Sequence, residues 1–416
     1  MEAPARILLA AALAGLWPVF LHAQVADGPP PGNEAAAKLK PAAAPSQPAA
    51  ADALPVGNLR LPSGFRLEVY ASGIPDAHTL RVGPRGTVFV ASPASGKVYA
   101  VDGQRAIKVV ASGLDRPNGL ALRDGSLFIA ERSRISKIDG VEGALDNPPK
   151  PTVVYEDLPK SDVNSLRYLG VGPDNKLYVS IAMPCNNCVP QATEGQIRRI
   201  DLEGNNVEAV ALGVRNSLGF DWSPQSKQLY FTDNGRDWLS EDAPNDELNR
   251  VAKPGENFGA PYCYQGTLPD SINGWGHSCD EFTPPVVLLG PHVAPLGMRF
   301  YTGRMFPRDY SGAIFIARHG SWNRTRKIGG DILVAYLNKN GTVDSMEPFL
   351  TGFVADNNYL GRPVDVEQMQ DGSLLVSDDW NGAVYRVTSA RGGRESSEEP
   401  RHEPRRRSRQ YFFGFR

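Results

Sequence analysis

The chain has 416 residues, 41% hydrophobic and 22% charged, which supplies a large ordered core and excludes a chain dominated by disorder. Its formal net charge of −2 leaves no whole-chain electrostatic footprint for nucleic acid. The N-terminus runs from a basic residue, Arg6, into an apolar stretch at 7–21 and then to Ala23 before Gln24. This pattern predicts a secretory signal at 1–23 and export to the periplasm, because the stretch is too short for a comfortable membrane span. Residues 24–56 are rich in proline and alanine and predict a linker, followed by a globular unit over 57–389. The segment 390–416 predicts a basic, solvated tail: from Arg391 onward it carries eight arginines against four glutamates. Attachment of that tail to an anionic membrane surface is the weaker alternative.

Within the globular unit one pattern recurs six times: Gly-Thr-Val-Phe-Val-Ala-Ser (86–92), Gly-Ser-Leu-Phe-Ile-Ala-Glu (125–131), Asn-Lys-Leu-Tyr-Val-Ser-Ile (175–181), Lys-Gln-Leu-Tyr-Phe-Thr-Asp (227–233), Gly-Ala-Ile-Phe-Ile-Ala-Arg (312–318) and Gly-Ser-Leu-Leu-Val-Ser-Asp (372–378). Each is a tight turn leading into a β-branched or aromatic run, the mark of a strand. Upstream of each lies a second strand, beginning near His78, Asn118, Asn164, Asn216, Pro295 and Arg362. Repeated strand pairs, each too small to bury its own face, predict an all-β, six-bladed β-propeller of four-stranded antiparallel blades. Gly119, Gly219 and Gly297 suit inner strands crowded at the axis. Segments 97–101, 197–201, 332–337 and 383–387 complete blades outward, and 233–295 reads as an elaborated loop region.

Export makes disulfides permissible, and the four cysteines read as two local pairs, Cys185 with Cys188 and Cys263 with Cys279. Zinc at Cys-Asn-Asn-Cys is the alternative, but no second such motif accompanies it. Haem attachment is excluded because Val189 stands where histidine is needed.

In a propeller, the residues before each inner strand and after each returning strand ring one mouth of the central channel. For this chain they include His78, Asn118, Asn164, Arg215, Asn216, His292 and Arg362, with the segments 183–188, 233–237, 318–324 and 378–381. Several arginines facing one cavity suit a multiply charged anion, since the guanidinium matches carboxylates and phosphates bidentately.

Seven ordered motifs, Gly-Val-Arg-Asn-Ser-Leu-Gly-Phe (213–220), Thr-Asp-Asn-Gly-Arg-Asp-Trp (232–238), Pro-Asn-Asp-Glu-Leu-Asn (244–249), Asn-Phe-Gly-Ala-Pro-Tyr-Cys (257–263), His-Val-Ala-Pro-Leu-Gly-Met (292–298), His-Gly-Ser-Trp-Asn-Arg (319–324) and Gly-Arg-Pro-Val-Asp-Val (361–366), resemble the glucose/sorbosone dehydrogenases. These are exported quinoproteins that use pyrroloquinoline quinone (PQQ). The resemblance implies an oxidoreductase that holds PQQ and Ca²⁺ at one mouth. Its implied partners are a small sugar-type substrate, oxidised at an alcohol or aldehyde, and an external electron acceptor. It implies cofactor contacts from Arg215, Asn216, Arg362 and Arg324. It further implies calcium ligation by the carbonyls of Gly235 and Arg236, and support from Asp246 and Glu247. Hard calcium suits such oxygen ligands.

The family's histidine base stands eight residues before the glycine of a Gly-Pro-Asp turn. Counting back from Gly172 reaches Asn164, whose amide cannot act as a base. The base has therefore moved to His78, His292 or His319, or the substrate needs less help, or the protein binds without turnover. A non-catalytic ligand- or partner-binding propeller is accordingly the second reading. A metal-dependent lactonase ranks last, because His78 and Arg362 occupy inner-strand starts where such an enzyme wants carboxylates and amides. Trp322 reads as packed beneath its loop, and His277 as surface.

Overall fold

A computed structural model describes residues 39–40, 45 and 47–390. The predicted signal segment, most of the linker and the tail from Arg391 lie outside the described residues. Among those described, no helix is long and apolar enough to cross a membrane.

Six antiparallel sheets follow one another around a ring. The returning strands fall on the recurrent motifs: Val88–Ser92, Ser126–Ala130, Leu177–Ile181, Leu229–Asp233, Ile314–Arg318 and Leu374–Asp378. Their inner partners are Leu80–Val82, Gly119–Arg123, Leu169–Val171, Phe220–Trp222, Pro295–Phe300 and Pro363–Gln368. The runs form strands because both faces of each are buried between neighbouring blades, which β-branched and aromatic side chains fill. Blade 3 gains a short fifth strand, Glu256–Asn257, added in parallel.

Two features differ from the sequence reading. The segment 233–295 is not only loop, since it supplies both outer strands of blade 4, Asn245–Arg250 and Val287–Pro291. The sequence Asn-Asp-Glu-Leu-Asn-Arg carries no apolar alternation, and its polar side chains are buried on specific partners instead. The sixth blade is completed by the N-terminal strand Phe65–Ser72, which pairs with Ala383–Ser389 and closes the ring. The Phe65 ring lies 4.8, 5.4 and 5.0 Å from those of Phe306, Tyr310 and Phe349, all edge-on. Packing begins upstream of residue 57, where Leu54 is buried against the same cluster as Leu59.

The axis is closed by a close approach of backbones over a charged plug. A Cβ on Gly219 would lie 2.0 Å from the Leu296 carbonyl oxygen, and one on Gly297 1.9 Å from Asp365 Oδ1. Only glycine fits at such distances. Below, Arg299 binds Glu367 at 2.6 Å, and Arg81 reaches Glu367 at 3.3 Å and Asp365 at 3.4 Å. Buried charges of both signs are thus paired.

Candidate active site

The mouth is built on a register that repeats from blade to blade: His78-Thr79-Leu80, Asn118-Gly119-Leu120, Asn164-Ser165-Leu166, Asn216-Ser217-Leu218, Ala294-Pro295-Leu296 and Arg362-Pro363-Val364. In four of these triplets the third residue turns in toward the axis. Leu166, Leu218, Leu296 and Val364 pack together as an apolar floor within the polar rim.

On the blade 4 side, Asp233 ends the returning strand and accepts the backbone N–H groups of Arg215 and Asn216 at 2.9 and 2.7 Å. This fixes the Arg-Asn pair against the next turn. The buried Arg215 guanidinium donates to the Asn186 carbonyl at 3.2 Å, Asn186 Oδ1 at 2.8 Å, the Asn234 carbonyl at 3.2 Å and Asp237 Oδ2 at 3.2 Å. The Asn216 side-chain amide makes no hydrogen bond among the described residues, while its backbone N–H and carbonyl are taken by Asp233 and Asn234. Asp246 accepts Gly235 N–H at 2.8 Å with one oxygen and Ala294 N–H at 2.9 Å with the other, so it ties the 234–237 turn to the 292–295 segment. Arg236 is turned away and pairs with Asp270 at 2.6 Å. The carbonyls of Gly235 and Arg236 accept no hydrogen bond among the described residues.

Behind this turn lies a cavity of about 10 Å³, room for one water-sized body. Asp233, Asn234, Gly235, Glu247 and Tyr264 line it, and the buried Tyr264 hydroxyl has no partner. Burial pushes Asp233 and Asp246 up to about 7 and Glu247 up to about 8, with the Asp233 charge adding to the rise at Glu247. Arg215 also lines the cavity, but two carboxylates, amide and carbonyl oxygens and an orphan hydroxyl outnumber that single cation, and this donor set fits a hard divalent ion.

On the blade 5 and 6 side, Asp379 is the hub. Its Oδ2 accepts from His319 Nε2 at 3.0 Å, and Arg362 grips both its oxygens at 3.1 and 2.9 Å. Burial alone would raise the Asp379 pKa, but His319, Arg362 and His78 hold it well below the usual carboxylate range. Burial lowers the His319 pKa, with Arg362 and His78 adding to it against the pull of Asp379. The imidazole is therefore neutral near pH 7, protonated at Nε2 and carrying its lone pair on Nδ1. His78 stands beside the same carboxylate; ligand-type atoms of Asp76, His78 and Asp379 lie within 4.8 Å of one another, and His78 Nδ1 is buried without a partner. The Arg362 guanidinium lies 4.9 Å from the Trp380 ring centroid.

The other expected residues are engaged in bracing. His292 Nε2 donates to the Ser240 carbonyl at 2.7 Å, while its Nδ1 meets Asn323 Nδ2 at 3.3 Å. With both nitrogens occupied, it has no lone pair for a substrate. Arg324 grips the Glu241 carbonyl and Asp242, the latter at 2.8 Å, and so ties down the same loop. Asn164, at φ +51°, turns its amide to the Met183 carbonyl at 3.3 Å. Trp322 packs edge-on to Trp238 with centroids 5.0 Å apart.

Three buried or bracing residues were not singled out from the sequence, although Asn186 and Asp379 fall in the mouth segments 183–188 and 378–381. Asn186 is one, hidden between two cysteines that drew attention to themselves. Asp379 is another, although the Asp-Asp ending of the sixth motif marks it out from the five others. The third is Arg167, buried and held only by the carbonyls of Arg132, Asn164 and Pro159. Burial lowers its pKa to about 10. A larger, polar cleft of about 550 Å³ opens on the opposite face between blades 4 and 5, lined by Gln225, Tyr230 and Lys339 among others, remote from these groups.

Residues 149–386 match the sequence family described as Glucose / Sorbosone dehydrogenase. A protein of Borreliella burgdorferi, described only as uncharacterized, is 35% identical over 343 residues, spanning 79% of this chain and 90% of the relative. Among solved structures, a Trichoderma reesei carbohydrate-active enzyme of family AA12 has the same fold at 20% identity, covering 80% of this chain and 98% of the other with a TM-score of 0.68. So does the holo PQQ domain of a pyranose dehydrogenase from Coprinopsis cinerea, at 18% identity, 79% and 97% coverage and a TM-score of 0.67.

Proposed function

The chain belongs to the glucose/sorbosone dehydrogenase family, and from that premise we propose that it is an exported, calcium- and PQQ-dependent oxidoreductase acting on a sugar-type alcohol or aldehyde. The observation that carries the reading is a neutral His319 held on an ionised Asp379 at the rim of an apolar floor. When bound, the quinone would accept a hydride and calcium would polarise the carbonyl that takes it.

The chain's own residues supply the rest. The apolar floor would carry a flat ring system, and Arg215, Asn216 and Arg362 would meet its carboxylates. Each arginine is already set in place by an aspartate, Asp237 or Asp379, so its positive charge is positioned at little entropic cost. The carbonyls of Gly235 and Arg236 would face the metal, with Asp246 fixing their turn and Glu247 lining the cavity behind. His319 Nδ1 would take the substrate's hydroxyl proton, while Asp379 holds the imidazole in the needed tautomer and stabilises the imidazolium that forms. Arg324 and His292 brace the loop above. Two disulfides and the pattern at 1–23 support export.

Titrating PQQ into the calcium-loaded protein while following its absorbance, then offering sugars and aldehydes with a redox dye, tests the reading. Saturable binding with substrate-dependent dye reduction is expected; failure to bind PQQ would sink it. Binding without dye reduction across the panel would favour the second reading, a binding propeller, which Asn164 at the family's base position keeps in view.

A further inference from the structure

The segment 184–190, between the second and third strands of blade 3, makes no backbone-to-backbone hydrogen bond among the described residues. Its shape rests on other things: the Cys185–Cys188 disulfide, which closes a four-residue loop, and the side chains of the two asparagines inside it. Asn187 Oδ1 accepts from Asn273 Nδ2 at 2.6 Å and anchors the outer side of the loop. Asn186 faces inward and uses every polar group it has except its own N–H. Its carbonyl and its Oδ1 accept from Arg215 Nε and Nη2 at 3.2 and 2.8 Å. The same Oδ1 accepts Asp237 N–H at 2.8 Å, and Nδ2 donates to the Asp237 carbonyl at 3.1 Å. One asparagine thereby fixes both the guanidinium of Arg215 and the turn that presents the Gly235 and Arg236 carbonyls.

We propose that Asn186, held in place by the Cys185–Cys188 disulfide, is the positioning residue of the cofactor site, and that reduction of this disulfide by a dithiol loosens the site. The cofactor part rests on the reading given above. In the reduction, a dithiol gives two electrons and two protons: its own sulfurs join in a cyclic disulfide, and Cys185 and Cys188 become free thiols. Access favours this bond over the other, because both Cys185 and Cys188 are partly exposed, whereas in the second pair only Cys279 is and Cys263 is 3% exposed. Once the ring opens, nothing in the backbone keeps Asn186 under Arg215. The guanidinium then retains only Asn234 and Asp237, and its aim is lost rather than its charge.

The experiment compares the oxidised wild type, Asn186→Ala, Asn186→Asp, Cys185→Ser/Cys188→Ser and the wild type reduced with dithiothreitol under conditions that leave Cys263–Cys279 intact by mass spectrometry. Absorbance titration with PQQ in excess calcium should show about 10- to 100-fold weaker binding for Asn186→Ala, since the Oδ1 bond to the Arg215 guanidinium and both side-chain bonds to the Asp237 backbone are lost. The cysteine double variant and the reduced wild type should weaken in the same direction. Asn186→Asp keeps the acceptors for Arg215 and for Asp237 N–H, and should recover binding to within about tenfold of wild type. A purely structural role would instead lower the thermal midpoint of both Asn186 variants alike. Wild-type affinity in Asn186→Ala would overturn the proposal. A second arm needs no cofactor: hydrogen exchange of peptides spanning 233–238 should quicken in Asn186→Ala and on reduction, and unchanged exchange would overturn the brace itself. If the wild type binds no PQQ, the cofactor reading falls while this arm still decides on Asn186.

Discussion

Asp379 receives hydrogen bonds from His319 and from two nitrogens of Arg362, and this shapes the chemistry of the mouth more than any single histidine does. A carboxylate kept ionised fixes Nε2 as the protonated nitrogen of His319, leaving Nδ1 to act. Because burial lowers the His319 pKa, the imidazole stays unprotonated further into acid than a free histidine. The acid limb of the rate profile should accordingly have its midpoint below the ordinary histidine value of about 6.5. His319→Ala should cost about 10²- to 10⁴-fold in kcat, with PQQ binding kept, and should remove that limb. Asp379→Asn should lose a comparable amount, since an amide facing Nε2 can donate and stabilise the wrong tautomer. Asn164→His, by contrast, should change kcat by less than about tenfold, because the proton-accepting role is already filled. A large gain from Asn164→His, with His319→Ala silent, would return the base to blade 3. The sequence showed three candidate histidines at the mouth but not that, among the described residues, His292 has both nitrogens engaged while His319 and His78 each keep one without a partner. That depended on carbonyls and carboxylates in distant loops: Ser240 and Asn323 around His292, Asp379 beside His319. The surplus of mouth arginines was legible for the same reason only in part, since Asp237, Asp242 and Asp379, which match them, sit in separate loops.

At the level of strands, the returning strands were legible because each is a β-branched run entered through a turn, and the structure keeps all six. Elements governed by polar burial were not. Asn245–Arg250 becomes the third strand of blade 4 by giving its acids individual partners: Asp246 accepts Gly235 N–H, and Glu247 accepts Gln265 N–H at 2.5 Å and Asn249 Nδ2 at 3.0 Å. No hydrophobic period announces such a strand. The third inner strand starts at Leu169 rather than near Asn164, because Asn164, with positive φ, is still part of the rim. Glycine placement on the inner strands was readable and has a sharp consequence. Gly297→Ala would put a Cβ 1.9 Å from Asp365 Oδ1. That carboxylate has little freedom to yield: its oxygens accept Tyr168 O–H at 3.3 Å and the N–H groups of Val366 and Leu80, each at 2.9 Å. The substitution should destabilise the protein by about 1–3 kcal/mol through overpacking. Urea denaturation should show a lower midpoint with an unchanged slope. An unaltered midpoint would mean that the inner strands can part without cost.

Over the whole molecule, ring closure by Phe65–Ser72 couples every blade to its neighbours, so a local change of charge at the mouth is felt as global stability. The buried acids behind the 234–237 turn are the clearest case. Asp233 and Asp246 are pushed up to about 7 and Glu247 up to about 8, first by burial, with Arg215 opposing and Asp237 adding repulsion at Asp246. In the unfolded chain such groups titrate near 4. An acid whose folded pKa is the higher one holds its proton while folded and gives it up on unfolding. Stability therefore falls as pH climbs from about 4 through 7 to 8. The calcium-free protein should lose thermal midpoint steadily over that window, a trend opposite to that of acids stabilised by salt bridges. A divalent cation seated against these oxygens compensates their charge and expels their protons, so its stabilising effect must grow with pH. Calcium should accordingly raise the midpoint by more at pH 8 than at pH 6, and Glu247→Gln should flatten the difference. Equal shifts at both pH values would show that the metal binds away from this cavity, and that the carboxylates beneath the mouth serve the fold alone.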